Sequence, residues 1–256
     1  MTTQEFSNQF DVLVNNYLQS LPFGSLSGAV AFDEYEKSVF LTKAQEEIIK
    51  NYFSNKGNRY FKGFDDSAKR QADFSKLIIV AACEKASSVT KFGSDSNVVY
   101  KYPTDVMFVL NESATINSKI FDVVPIRYEE YSALMARPYH YPLKRQCWRL
   151  ISSVKNGTKY DTYVEVVTPP NSTITKYSIR YVRKPGPIIL EKLTNVNLSI
   201  DGKTDVSECE VDPVLHQDIL QRAVEIAKSA YMSAGNEGQG KEQGVLQFIQ
   251  TGARTE

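Results

Sequence analysis

The sequence predicts an α+β fold in which N- and C-terminal helices pack together and an antiparallel β region of hairpins lies in the middle. Apolar residues recur at three- and four-residue steps over residues 3–21 and 33–55, as on one face of a helix. A long amphipathic stretch covers residues 212–234, and short β-branched and aromatic runs fill residues 98–205. Helices and strands that are segregated along the chain favour α+β over a parallel α/β sheet.

The first two helices are also predicted from their starting residues. Thr3 is the expected cap of the first helix, and Asp33 with Glu36 three residues later is a capping-box pattern for the second. A shorter helix is predicted to begin near Asp65 or Asp66. The run LIIVAACEK is ambiguous, because its β-branched residues favour a strand and its alanines a helix. We expect a strand there, from about Lys76.

Two hairpins are predicted in the middle of the chain. The runs VMFVLNESA and KIFDVVPI are separated by a short polar turn, which is typical of a hairpin. The runs CWRLISSV and TYVEVVTP flank Lys155-Asn156-Gly157-Thr158, and Asn-Gly between two β runs is the strongest short hairpin signal. One short helix is predicted in RYEEYSALMAR, a further strand in KYSIRYVRK, and a turn in IDGK at 200–203.

The last predicted helix has a strong start and is followed by a glycine-rich tail. Asp212 is its expected cap, and Pro213 stands at the first helical position, where a missing N–H costs nothing. Beyond the glycines come four apolar residues: Val245, Leu246, Phe248 and Ile249. Apolar residues on a flexible tether predict a segment that folds back or docks on a neighbouring molecule.

These patterns divide the chain into four parts. We expect an N-terminal helical part over 1–75 and an antiparallel β part over 76–205. A C-terminal helix over 206–234 should pack on the N-terminal helices. The tail over 235–256 should dock on a neighbour.

Composition narrows the class of protein. The chain has 256 residues with 30 basic and 30 acidic side chains, so bulk charge predicts neither a nucleic-acid nor a membrane partner, although a local patch is compatible with it. Cys83, Cys147 and Cys209 are odd in number and far apart, which favours reduced thiols. The polar start predicts no secretory signal, and the longest apolar run is too short to span a bilayer.

No catalytic, cofactor or metal site is predicted. The segment GNEGQGK at 235–241 resembles the first part of a phosphate-binding loop, but Glu242 stands where a hydroxyl should reach the magnesium ion. That segment also follows a helix instead of a strand, so a flexible hinge is the better interpretation. His140 and His216 are the only histidines, and no ligand pairs at zinc-site spacing accompany them.

Two other functions remain open from the residues alone. Arg and Lys side chains at 137–149 are interleaved with Tyr139, Tyr141 and Trp148, a mixture that can bind single-stranded nucleic acid. A cysteine hydrolase would pair Cys147 or Cys209 with a histidine, although no local signature supports one. A protein–protein contact is a third interpretation of the basic and aromatic residues, because Arg and Tyr are enriched at interfaces. For that contact the predicted residues are Arg180, Tyr181, Arg183 and Lys184.

Several segments resemble one family of phage proteins. They cover most of residues 3–234 and read DEYEKSVFLTKAQEEIIKNYF, PTDVMFVLNES, VVPIRYEEYSALMARPYHYPLKRQCWRL, SIRYVRKPGPIIL and LHQDILQRAVEIAKSAY. Together they are similar to the ring or adaptor virion proteins in the neck and tail of crAss-like bacteriophages. The last 22 residues match nothing in that resemblance.

The resemblance implies a structural protein without enzyme activity and without a cofactor. It implies a closed head-to-tail ring of about twelve copies, matching the portal, because heterologous contacts close into rings when the rotation allows it. It also implies a position between portal and tail in the virion, contacts with the portal and adjacent ring or tail proteins, and a central channel for passing double-stranded DNA. No membrane partner is implied.

Overall fold

The computed structural model describes residues 1–19, 32–53, 68–94, 96–136, 142, 145–193 and 198–230. Their fold is α+β, as the sequence predicts, with helices towards both ends and a mostly antiparallel sheet between them. The chain forms two compact units. Unit 1 combines Met1–Ser75 with Pro185–Glu256, and unit 2 is Lys76–Lys184. The four-part division of the chain stays a prediction.

The helices lie close to where periodicity places them. They are α1 (Thr3–Gln19), α2 (Glu34–Phe53), α3 (Ala68–Asp73), α4 (Tyr128–Met135) and α5 (216–230). In the described part of the chain, none of them is both long and apolar enough to cross a membrane. The predicted start of a helix near residues 65–66 lies outside the described residues.

The helix starts confirm two predicted caps and correct a third. Thr2, not Thr3, caps α1, because the Glu5 amide donates to Thr2 Oγ1 at 3.3 Å and Glu5 Oε2 accepts from the Thr2 amide at 2.9 Å. At α2, Glu36 Oε2 accepts from the Asp33 amide at 3.2 Å, as the capping-box pattern predicts. Asp212 Oδ1 accepts from the Val214 amide at 3.2 Å, and a single turn of 3-10 helix, Pro213–Leu215, leads into α5.

Helices from both ends of the chain pack together in unit 1. The rings of Phe6 in α1 and His216 in α5 lie 5.4 Å apart. Arg222 in α5 donates to both carboxylate oxygens of Glu47 in α2, at 2.6 and 3.0 Å. Aromatic packing therefore combines with a bidentate ion pair, and the predicted packing of N- and C-terminal helices is confirmed.

A stripe of polar side chains on α2 binds an extended segment of the same unit. The hydroxyl of Ser38 accepts from the Leu190 amide at 3.0 Å, and that of Thr42 accepts from the Ile188 amide at 3.1 Å. Nε2 of Gln45, one turn further along the same helix face, donates to the Gly186 carbonyl at 2.9 Å. The stripe thus supplies hydrogen-bond partners for backbone groups of residues 186, 188 and 190, as a neighbouring strand would in a sheet.

The sheet of unit 2 has eight strands in the order β1-β8-β4-β5-β6-β7-β3-β2. The strands are β1 (Ile78–Ala82), β2 (Glu84–Lys85), β3 (Val98–Lys101), β4 (Val106–Ile116), β5 (Lys119–Pro125), β6 (Gln146–Asn156), β7 (Lys159–Val167) and β8 (Ile174–Arg183). The strand expected in LIIVAACEK is confirmed, two residues later than predicted.

One chain segment closes this sheet. The strands at its two ends, β1 and β2, are separated only by Cys83 and form one bent strand. Its first half pairs with β8, and its second half pairs with β3, continued by the bond from the Ala86 amide to the Val99 carbonyl at 2.8 Å. A sheet that closes in this way leaves few edges for unwanted pairing. Its interior is packed with aliphatic and tyrosine side chains.

Both predicted hairpins are present, with turns that match their sequences. Asn117 and Ser118 between β4 and β5 have φ values of 47° and 62°, the pattern of a type I′ turn. Between β6 and β7, Asn156 pairs with Lys159, so Gly157 and Thr158 form the two-residue loop. Gly157 takes a φ of 63° there, which favours glycine. The turn predicted at 200–203 is also present, with Asp201 and Gly202 at positive φ.

One strand pair departs from the predicted antiparallel pattern. β5 and β6 are parallel, with Asp122 opposite Gln146 and Pro125 opposite Arg149. The chain between them includes α4, the short helix that the sequence predicts. A helix gives the chain the length it needs to return and start the next strand in the same direction.

Candidate interaction surface

A buried polar cluster lies inside the closed sheet. The Tyr102 hydroxyl donates to Glu112 Oε1, and the Arg149 Nε atom lies 3.0 Å from Glu112 Oε2. Arg149 also donates to the Tyr102 hydroxyl oxygen at 3.2 Å, and the Tyr177 hydroxyl is 3.5 Å from that of Tyr102. Glu112 Oε1 therefore accepts a hydrogen bond, whereas Oε2 and the Arg149 Nε atom are buried and attract each other as an ion pair without hydrogen-bond geometry. Pairing with a cation is what makes the buried carboxylate tolerable.

The electrostatics of this cluster follow from its burial. Burial raises the pKa of the Glu112 carboxyl above its ordinary value, although Tyr102 and Arg149 oppose that shift. Burial and then the Glu112 charge raise the pKa of both Tyr102 and Tyr177. Both phenols therefore stay protonated and act as hydrogen-bonding groups in the core. The cluster therefore has the chemistry of a structural network.

Burial keeps the thiols of Cys83 and Cys147 protonated. Cys147 is fully buried, and burial raises its pKa to about 11. Burial and the Glu112 charge raise the pKa of Cys83 to about 12. Cys209 donates to Gln45 Oε1 at 3.3 Å. Since only the thiolate attacks, the raised pKa argues against Cys147 as the nucleophile of a hydrolase.

His216 is the histidine that lies within the described part of the chain, and its contacts are those of a packed core residue. His216 is buried, with Nε2 3.1 Å from the Val211 carbonyl and Nδ1 2.7 Å from the Met1 ammonium. His140 lies outside the described residues. Among those that are described, no group of three or more His, Cys, Asp or Glu side chains is placed to hold a metal ion.

The stretch proposed for single-stranded nucleic acid is only partly described. Arg149 is engaged with Glu112 inside the sheet, and Trp148 packs against the cluster of Tyr131, Leu150 and Val167. Arg145 is exposed, whereas 137–141 and 143–144 lie outside the described residues. Arg149 and Trp148 therefore make contacts within unit 2, and these contacts do not support binding of single-stranded nucleic acid.

Strand alternation separates the residues predicted for a protein–protein contact. Arg180 is exposed on the outside of β8, whereas Tyr181 is buried on the inside and donates to Asp105 Oδ1 at 3.0 Å. Arg183 is half-buried, and Lys184 is exposed. The four apolar residues predicted in the tail, Val245, Leu246, Phe248 and Ile249, lie outside the described residues. Of the described set, Arg180 and Lys184 are the exposed side chains.

Arg180 belongs to an exposed outer face of four neighbouring strands. Directly opposite residues share a face of a sheet, and Arg180 lies opposite Val80 of β1 and Asn111 of β4. All three are exposed, Val80 by 69%. Further along β4, Thr115 lies opposite Lys176 of β8 on one side and Ile120 of β5 on the other. The Ile120 side chain is 70% exposed. We call the exposed outward side of β1, β8, β4 and β5 the outer face.

The zero net charge of the chain hides a separation of charge between the units. Residues 76–184 of unit 2 carry 16 Lys and Arg against nine Asp and Glu, a formal charge of +7. The remainder of the chain, unit 1, carries 14 against 21, a formal charge of −7. The summed composition cannot reveal this difference, because the two values cancel.

A cleft of about 750 Å³ also opens in unit 2. It lies between the start of β4 and the β6–β7 hairpin, and its lining includes Met107, Val109, Ile151 and Tyr160. Among the described residues, β5 pairs only with 113–116 of β4 and 146–149 of β6, so it does not extend between the start of β4 and the end of β6. Its lining mixes apolar and polar side chains.

Comparisons with known proteins agree with the resemblance seen in the sequence. The family model of phage tail ring protein 3/4 matches residues 1–239. The chain is 47% identical over 234 residues to "Ring protein 4/5" of Bacteroides phage crAss001, covering 90% of this chain and 94% of that protein. It is 33% identical over 237 residues to "Ring protein 3" of the same phage, covering 89% and 95%.

The matches extend through both units, so they concern the whole described fold and not one motif. The α+β architecture, the closed sheet and the packed terminal helices are therefore features of a phage structural ring protein. The chain belongs to the phage tail ring protein 3/4 family.

Proposed function

We propose that this chain forms a homo-oligomeric ring in the neck or tail of a phage virion and connects the portal to the tail. The ring is a homododecamer of about twelve copies, closed by head-to-tail contacts. It stacks on the portal protein and on adjacent ring or tail proteins. It surrounds the channel through which double-stranded DNA passes without sequence-specific contacts.

Membership of the ring protein family is the observation that carries this proposal. Features of the chain support it independently. A head-to-tail ring needs two different surfaces on each subunit, and two units of opposite charge supply two different surfaces. Burial raises the pKa of the Cys83 and Cys147 thiols and keeps them protonated, which favours a structural role over an enzymatic one for these two residues.

Cryo-electron microscopy of the intact particle tests the proposal. We expect a closed ring of this chain, coaxial with the DNA channel and in contact with the portal or a neighbouring ring. Counting the subunits in that ring checks the twelve copies. As a matched biochemical test, purified protein is mixed with its candidate portal and with an unrelated phage portal as the control.

Two outcomes contradict the proposal. One is a virion that lacks the chain, and the other is a position away from the DNA channel. Sequence-independent binding of single-stranded nucleic acid by a protein that never joins the particle would favour the alternative that uses residues 137–149.

A further inference from the structure

We propose that the outer face of β1, β8, β4 and β5 binds unit 1 of a second copy of this chain. The contact between neighbouring subunits of the ring then pairs a basic surface with an acidic one. This inference rests on the proposed ring and identifies the surface through which it closes.

Charge selects the partner. Unit 2 carries a formal charge of +7 and unit 1 a formal charge of −7. Two unit 2 surfaces repel each other, and so do two unit 1 surfaces, whereas unit 2 of one copy attracts unit 1 of the next. The favoured contact is therefore heterologous, the kind that builds rings. An isologous dimer through either unit would place like charges together.

The outer face has the composition of a protein-binding surface. Its two exposed aliphatic side chains, Val80 and Ile120, flank a row of small residues: Ala82, Ser178 and Ser113. Small side chains in a row make the middle of the face flat, so a partner can approach the strands closely. Exposed aliphatic groups beside arginine are typical of interfaces, where arginine is enriched and lysine and acids are depleted at the core.

The basic residues of the face are placed to direct the contact. Arg180 lies in the same row as Val80, and Lys176 lies in the same row as Ile120. Each aliphatic group thus has a cation within two strands of it. Burial of the aliphatic groups favours association, and the cations select an acidic partner over a basic one.

Double-stranded DNA is the competing occupant and fits the face less well. A surface that binds DNA places Lys and Arg side chains along the phosphate backbone, and exposed aliphatic side chains add little to such contacts. The outer face carries Val80 and Ile120 at 69% and 70% exposure, and Asp122 is exposed in the row of small residues. Binding to unit 1 of a neighbour uses the two aliphatic side chains as well as the cations, whereas DNA uses only the cations. Asp122 repels both partners and does not distinguish them.

A charge-reversal pair tests the contact. The variant Lys176→Glu/Arg180→Glu reverses the outer face, and Lys155→Glu/Lys159→Glu makes the same charge change on exposed residues at the end of the β6–β7 hairpin. Self-association is measured by sedimentation velocity and electron microscopy, with and without the adjacent ring proteins, at low and high salt. We expect the outer-face variant to weaken association about tenfold or more and the hairpin variant to change it less than about twofold.

Rescue by a second charge reversal identifies unit 1 as the partner. Single changes to lysine at exposed carboxylates of unit 1 that do not cap a helix, namely Glu191, Glu208 and Asp218, are combined with the outer-face variant. We expect at least one combination to recover assembly, because the reversed pair is again complementary. Variants Lys176→Gln and Arg180→Gln, with smaller charge changes, keep the test valid if the double reversal fails to fold.

The outcomes separate this contact from the ring itself. If wild-type protein forms rings and the outer-face variant forms them equally well, the proposed contact is wrong and the ring stands. If the outer-face variant loses affinity for double-stranded DNA and keeps its assembly, the face binds DNA and the inference is overturned. If wild-type protein forms no ring in particles or mixtures, both the function and the contact are wrong.

Discussion

The Nε atom of Arg149 lies 3.0 Å from the Oε2 atom of Glu112 inside the closed sheet of unit 2. The Glu112 side chain is only 4% exposed and that of Arg149 17% exposed, so water screens this pair weakly. The two residues lie on β4 and β6, which β5 separates. Their ion pair therefore links strands that share no backbone ladder.

Replacing Arg149 with methionine should destabilise the protein strongly. The change leaves the buried Glu112 carboxylate without its cation, and breaking a buried pair in this way typically costs about 3–5 kcal/mol. Urea unfolding followed by circular dichroism measures the loss. Lys155→Met, which removes an exposed cation from the same strand, is the control and should cost less than about 0.5 kcal/mol. Equal effects of the two changes would show that the ion pair does not stabilise the fold.

Glu112 should also give stability a specific pH dependence. Burial raises the pKa of its carboxyl, so the folded state binds this proton more tightly than the unfolded state. Its contribution is then fully present below the ordinary pKa of about 4.5 and is lost as the pH rises through the folded value. The stability of wild type relative to Glu112→Gln, which cannot titrate, should fall as pH rises across that window. Urea midpoints at a series of pH values check the slope, and a rising difference would refute it.

Thr42→Val should cost more than its small change in shape suggests. The Thr42 hydroxyl accepts from the buried Ile188 amide at 3.1 Å, and valine leaves that amide without its acceptor. An unsatisfied buried donor typically costs about 1–3 kcal/mol. Thr42→Ser keeps the hydroxyl and serves as the matched control. Thermal unfolding should rank wild type above the serine variant and the serine variant above valine; valine as stable as serine would contradict the role of the bond.

Gly93→Ala should disturb the loop before β3. The amides of Phe92 and Gly93 donate to the Glu165 carboxylate at 2.7 and 2.9 Å, and Asn97 Nδ2 donates to it at 2.6 Å. A Cβ on Gly93 would lie 2.8 Å from Glu165 Oε1 and closer still to the Tyr131 hydroxyl.

We expect this substitution to cost about 1–3 kcal/mol, the usual effect of overpacking. Ser94→Ala, at an exposed position of the same loop, is the control and should be nearly neutral. Hydrogen exchange of the Phe92 amide gives a local readout. Its protection should fall in the Gly93 variant alone, and unchanged protection would mean that the loop accommodates the methyl group elsewhere.

Deleting residues 235–256 should affect assembly more than folding. The predicted role of the tail is to dock on a neighbour through Val245, Leu246, Phe248 and Ile249. We expect the truncated chain to unfold at nearly the temperature of the full chain and to enter rings or particles poorly. A full-length variant with serine at those four positions separates the apolar side chains from chain length. Normal incorporation of both variants would mean that the tail has no role in assembly.

Local chemistry explains most of what could be predicted from the sequence. Asp33 with Glu36, Asp212 before Pro213, and Gly157 in the second hairpin each act through backbone groups a few residues away. The cap of α1 was misplaced by one residue, because Thr2 and Thr3 carry the same hydroxyl. Only the reciprocal bonds between Thr2 and Glu5 separate them.

The sequence carries no comparable signal for contacts between segments that are distant along the chain. Ser38, Thr42 and Gln45 look like an ordinary polar face of a helix until 186–190 lies against them. Closure of the sheet depends on Cys83, where one strand changes partner from β8 to β3. The parallel pairing of β5 with β6 likewise depends on where the chain returns after α4.

The sequence by itself determined the fold class, the helices, the hairpins and, through resemblance, the family. These follow from periodicity, turn chemistry and segment similarity, which need no knowledge of distant contacts. Only the tertiary structure decided that Tyr181 lies inside a closed sheet and Arg180 outside it, that Glu112 pairs with Arg149, and that a neutral chain divides into units of +7 and −7. The physical reason is that burial and charge separation depend on which distant segments come together, and composition sums over all of them.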